Sequence, residues 1–219
     1  GDYKFFSRLA IATRSNSLVV VGSHSIFLSY LVTENSPRYG GKGIVHLPRT
    51  REISKGHTSN NSELHLAAHL GTHIDAPFHF DNNGKTVDSY PPDFWICKHP
   101  FLINYTAKPA EVIELDSLLD QLEEIPSLCD FLLLNTQFSR FRNDNVETYI
   151  FNNPGISPEI GTWLRKNTSV KMIGFDFISL SSYPQRELGR KAHKAFLSTL
   201  EINGCLLYTS PSPRDGLLS

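Results

Sequence analysis

The segment HLGTHIDAPFH, residues 69–79, constrains this chain more than any other stretch, because it resists helix while gathering titratable side chains in one place. Of nine histidines, four (His65, His69, His73 and His79) fall within fifteen residues, and Asp75 lies among them. A helix would bring His69 and His73 onto one face at i and i+4, but it would turn Asp75 away, and Gly71 and Pro77 both oppose helix there. In an extended chain His73, Asp75 and His79 share parity, with neighbours on that face about 6.6 Å apart at roughly 3.3 Å per residue. A straight strand would leave His79 about 20 Å from His73. Pro77 is therefore expected to bend the chain and return it to the site, and Gly71 to let the backbone approach closely.

The residue types explain the grouping. Two neutral imidazoles and a carboxylate, His69, His73 and Asp75, suit a borderline divalent ion such as zinc or manganese. They leave room for a water whose pKa falls from about 15.7 to about 7. His79, outside that set and with a reference pKa of about 6.5, is the candidate to take a proton from the attacking water and deliver it to the leaving group. Taken singly, each histidine is more simply a surface or structural residue, and His65 keeps that reading. Taken together, the others describe a metal site with an attached base. A metal-binding protein without turnover is the alternative from a different class, but a closed structural site usually supplies four protein ligands and needs no base beside them.

Composition narrows the partners. The formal charge of −1 offers no basic excess to attract nucleic acid or an anionic membrane, so a small-molecule substrate is expected. No apolar run approaches the roughly 18–20 residues of a membrane span. Cys97, Cys129 and Cys205 are odd in number, far apart and without C-x-x-C spacing, which predicts a reduced, cytoplasmic setting. Residues 1–25, with Lys4, Arg8 and Arg14 and no acid after Asp2, read either as a presequence remnant or as an opening strand at Leu18 to Val21, which leaves an organellar or secreted location open. Residues 208–219, YTSPSPRDGLLS, are rich in Ser and Pro and read as an appended or disordered tail.

Between those ends, residues 26–207 read as one α/β domain, with α+β as the other option, built on a mixed sheet with flanking helices. Strands are expected at Phe131 to Leu134 and Val170 to Phe175. Helices are expected after Asp116 as cap, from Ser157-Pro158-Glu159 toward Arg165, and over Gln185 to Leu200. Phe78, Phe80 and Trp95 are candidates for an aromatic pocket, although each is more commonly a core residue. No G-x-G-x-x-G, P-loop or G-x-S-x-G occurs, which removes the usual signatures of nucleotide binding and serine-hydrolase chemistry.

The string at residues 69–79 matches HxGTHxDxPxH at every fixed position, and the chain thereby resembles the cyclase-like metal-dependent hydrolases, the family of metal-dependent kynurenine formamidases and isatin hydrolases. The resemblance continues through Leu28-Ser29-Tyr30, Thr136-Gln137-Phe138, Pro154-Gly155-Ile156-Ser157, Gly174-Phe175-Asp176 and His193. It implies a swivelling β/β/α-like fold, metal ligation by His69, His73 and Asp75, and acid-base catalysis by His79. It also implies a homodimer and an activity such as hydrolysis of N-formylkynurenine to kynurenine and formate, in tryptophan catabolism. Isatin and other cyclic amides are the alternative substrates. Members with two metals add a later histidine, matched here by His193, and a glutamate from the strand after the last helix. In this chain that strand runs into Tyr208-Thr209-Ser210 where the acid is expected, and Glu201 does not fit the pattern. One or two zinc or manganese ions per chain are therefore implied.

Overall fold

The computed structural model describes residues 29–198 and 206–209. Its centre is a five-stranded mixed sheet in the spatial order His73–Asp75, Leu206–Thr209, Met172–Phe175, Phe131–Asn135, Pro100–Asn104. The last four strands run parallel, and His73–Asp75 lies antiparallel at the edge. The expected runs at Phe131 to Leu134 and Val170 to Phe175 are both strands, with the second beginning only at Met172. The call for an opening strand or presequence in residues 1–25 lies outside the described residues.

Alternation along these strands separates two layers. Leu132, Leu134, Ile173, Phe175 and Leu207 face the main core, where they meet Ile160, Leu164, Ala192 and Phe196 from the helices Pro158–Asn167 and Arg186–Leu197. Phe131 and Met172 face the other side with Ile74, Phe94, Trp95 and Tyr208. Burial of both faces explains why the strands read as continuous apolar runs.

Two helix expectations need correction, and a third holds in its boundary. Asp116 does not cap a helix: Leu115–Ser117 form a 3-10 turn, and Leu118 holds the N-cap of Leu119–Glu123. Leu118 and Leu122 are both buried, so core packing sets that boundary in place of capping chemistry. Ser157 does precede the helix Pro158–Asn167, but its side chain makes no capping bond. The last helix spans Arg186–Leu197, shorter than expected, with Ser198 already extended. A fourth boundary also moves: Tyr208 and Thr209, assigned above to a tail, are the end of the Leu206–Thr209 strand and pair with Ile74 and His73.

Asp176, directly after the Met172–Phe175 strand, ties the loop after the neighbouring strand to the sheet. Its carboxylate accepts hydrogen bonds from the Thr136 hydroxyl, from the Thr136 N–H at 2.8 Å and from the Ser139 N–H at 3.4 Å. Burial pushes its pKa up against the pull of those donors. Asp176→Ala is expected to leave buried donors unpaired and to lower stability by roughly 2–3 kcal/mol in denaturant titration. A loss under about 0.5 kcal/mol, the range of an ordinary surface substitution, would show that the buried charge costs as much as its hydrogen bonds contribute.

Candidate metal centre

The edge strand delivers two of the predicted side chains. His73 and Asp75 alternate with Ile74, and the register places Asp75 opposite Leu207 and His73 opposite Thr209. Ile74 belongs to the second hydrophobic cluster, so His73, Asp75 and Thr209 share the face toward the helix Arg186–Leu197. Gly71, at φ 65°, turns the chain just before this strand in the left-handed region that glycine enters without cost. Its carbonyl accepts from His73 Nδ1 at 2.9 Å. After the strand, Pro77–His79 form a 3-10 turn, the bend expected from Pro77, and this brings His79 back beside His69 with ring centroids 4.1 Å apart.

His193 arrives from the far end of the chain on the inward face of the helix Arg186–Leu197. Gly189, one turn earlier, lies so close to Ser181 that an added Cβ would meet Ser181 Oγ at 2.0 Å, so only glycine lets the helix approach this far. The Gly189 carbonyl accepts from His193 Nδ1 at 2.8 Å. His73 and His193 are thus oriented alike: each gives its Nδ1 proton to a backbone carbonyl and turns Nε2 toward Asp75.

Asp75 is the hub. His69 Nδ1 lies 2.8 Å and His73 Nε2 3.5 Å from Oδ1, while His193 Nε2 lies 3.9 Å from Oδ2. Oδ1 is buried and has no hydrogen-bond partner of good geometry among the described residues, so the contact with His69 is close without being aligned. A buried carboxylate oxygen left in this condition, and faced by ring nitrogens, fits a cation. Ligand-type atoms of His69, Asp75 and His79 lie within 4.8 Å of one another, a set that includes the expected base and omits His73.

Electrostatics follow the geometry. Burial raises the Asp75 carboxyl, but His69, then His73 and His79, more than offset it and hold it below its usual range. The Asp75 carboxylate, 2.8 Å away, raises His69 against burial. Burial lowers His73, His79 and His193, which favours the neutral imidazoles that bind metal or accept protons.

These groups line a cleft of about 300 Å³ together with Tyr39, Phe80, Ile178, Ser179, Ser181, Arg186, Arg190 and Thr209. Of the aromatic candidates, Phe80 is in place and stacks on His193 at 4.7 Å. Trp95 belongs to the cluster on the opposite face, and Phe78 is 53% exposed and does not line the cleft. His65 stands apart on an exposed ladder beside His46 and Glu63. Sequence reasoning missed Tyr39, Ser181, Arg186 and Arg190, which carry no local motif and meet the site only through packing. Cys97 and Cys129 are free thiols whose pKa burial pushes up to about 11. Among the described residues, no helix is long and apolar enough to cross a membrane.

Residues 26–182 match the Cyclase family model, described as "Putative cyclase". The chain is 27% identical to "Cyclase-like protein 1" of Arabidopsis thaliana over 178 residues, which cover 74% of this chain and 62% of that protein. It is 28% identical to "Kynurenine formamidase" of Geobacillus thermodenitrificans over 144 residues, 65% of this chain and 64% of that protein. The match thus spans less than two thirds of either relative. The fold is similar to a structure titled "The Structure Of Potential Metal-Dependent Hydrolase With Cyclase Activity", with a TM-score of 0.63 and 21% identity over 87% of this chain and 82% of the other. It is also similar to an isatin hydrolase bound to the product analogue thioisatinate, with a TM-score of 0.57 and 16% identity over 83% and 77% of the two chains. At these identities the structural likeness is one of fold.

Proposed function

The chain belongs to the Cyclase family, and from that premise we propose that it is a divalent-metal-dependent hydrolase that cleaves a carbon–nitrogen amide bond in a small molecule. The observation that carries this reading is the buried Oδ1 of Asp75, without an aligned hydrogen bond among the described residues and facing His69 and His73, with His79 beside them. His69, His73 and Asp75 would hold the ion, and His193 with Asp75 Oδ2 offers the start of a second position. A bound zinc or manganese ion would supply Lewis acidity to the substrate carbonyl and to the attacking water.

The chain's own groups supply the rest. His73 and His193 are fixed in one tautomer by the Gly71 and Gly189 carbonyls, the outer-shell arrangement that orients metal-binding histidines. No hydrogen bond fixes the His79 ring among the described residues; it packs against the rings of His69, Phe80 and His193. Kept neutral by burial, it is free to accept the proton of the nucleophile and return it to the departing amine. That contrast supports His73 as ligand and His79 as base, even though His79 belongs to the tighter set.

N-formylkynurenine is the leading substrate, supported by the kynurenine formamidase relatives, with isatin and other cyclic amides as the alternative. Purified protein given zinc or manganese is expected to release formate from N-formylkynurenine and to stop when the metal is chelated. Failure to turn over N-formylkynurenine, isatin and a simple arylformamide with either metal would leave a metal-binding protein without catalysis.

A further inference from the structure

The wall of the cleft opposite the edge strand carries two cations and a phenol that the reaction above does not use. Arg186, Arg190 and His193 fall at i, i+4 and i+7 of one helix, and so on one side of it. Both arginines line the cleft that holds the histidines. Arg190 is engaged by Glu187 through two contacts. Arg186 has no carboxylate partner among the described residues; its guanidinium stacks over the Tyr183 ring at 4.4 Å, which fixes its plane without occupying its N–H groups. The Tyr183 ring in turn meets Tyr39 edge to face at 5.4 Å.

Tyr39 completes the group. Its hydroxyl is shielded from solvent and makes no aligned hydrogen bond among the described residues, the Ser181 hydroxyl pulling on it least of its neighbours, although the ring borders the cleft. Burial pushes it up to about 12 while Arg186 and Arg190 pull against that shift, so both guanidiniums reach it electrostatically and it remains a neutral donor. A shielded O–H without an aligned acceptor, beside a guanidinium that has no carboxylate partner among the described residues, suits an anion. Among the described residues lining the cleft Asp75 is the sole carboxylate, and the histidines already claim it.

We propose that Tyr39, Arg186 and Arg190 form a carboxylate-recognition subsite, so that the amides this site hydrolyses carry a carboxylate in addition to the scissile bond. The planar, forked guanidinium of Arg186 suits bidentate binding of a carboxylate, and the Tyr39 hydroxyl adds a third donor. The inference rests on the hydrolase reading and narrows its substrate class; N-formylkynurenine, an amino acid, falls within it.

Two arylformamides that differ by one group test it: 2-formamidobenzoate, which carries a carboxylate, and formanilide, which does not. The wild-type protein is expected to favour the first in kcat/KM by on the order of 10- to 100-fold. Arg186→Gln and Tyr39→Phe should each reduce that ratio several-fold, mainly through KM, and Arg186→Lys should restore part of it. Calorimetric binding of anthranilate to metal-free protein reads the subsite without turnover, and its Kd should rise by about tenfold in Arg186→Gln. An unchanged ratio and an unchanged anthranilate Kd in the Arg186→Gln, Arg190→Gln double variant would overturn the subsite while leaving the hydrolase reading intact. Turnover of neither formamide, with anthranilate binding still dependent on Arg186, would overturn the hydrolase reading and leave the subsite.

Discussion

His79→Ala is expected to lower turnover on the order of a thousandfold while the protein keeps its metal. General acid-base catalysis by one positioned side chain contributes about 10²–10⁴-fold, and no neighbouring group can replace this one. His69 is raised by Asp75 and held 2.8 Å from it, whereas His73 and His193 have given their Nδ1 protons to backbone carbonyls. His79 alone among the four combines a lowered pKa with a ring that no hydrogen bond fixes among the described residues. His73→Ala should do the reverse, since an oriented ligand is lost: metal per chain falls, and activity falls with it. Elemental analysis beside formate release separates the two variants. Loss of metal in His79→Ala would make His79 the third ligand, as its place among the three convergent residues would then require.

The sequence revealed the part of the site that is contiguous. Period-two alternation put His73 and Asp75 on one face, Pro77 predicted the turn that brings His79 back, and His65 was separable; each of these depends on backbone rules acting over a few residues. The other wall depends on contacts between distant segments. Tyr39 lies in a 3-10 turn, and Arg186 and Arg190 on the last helix, and nothing in their local spacing distinguishes them from surface residues. His193 was nominated by resemblance, and the close approach at Gly189 is what brings it to Asp75. In the fold, buried strands were legible as apolar runs, while Asp116 misled because the burial of Leu118 and Leu122 outweighed a capping preference worth about 1 kcal/mol.

Thr209→Glu is expected to raise bound metal toward two ions per chain. The resemblance to two-metal members implies an acid somewhere in Tyr208-Thr209-Ser210, and the sheet register selects among them. Tyr208 pairs with Ile74 and faces the second hydrophobic cluster, so an acid there would point away from Asp75. Thr209 pairs with His73, is 2% exposed and lines the cleft with Asp75 and His193, so its side chain already borders the site. A threonine hydroxyl is a neutral and weak donor to a divalent ion, and among the described residues of the cleft Asp75 is then the sole acid for two ions. Without metal, the added carboxylate is buried with insufficient compensation and should cost roughly 1–3 kcal/mol of stability. With metal, binding to the folded state alone should recover that loss and shift the unfolding midpoint upward with ion concentration. Thr209→Gln, similar in size but uncharged, should do neither. An unchanged metal content in Thr209→Glu, together with a stability loss that added zinc or manganese does not reverse, would mean that this strand faces a one-metal site in which His193 serves Asp75 only as a neighbour.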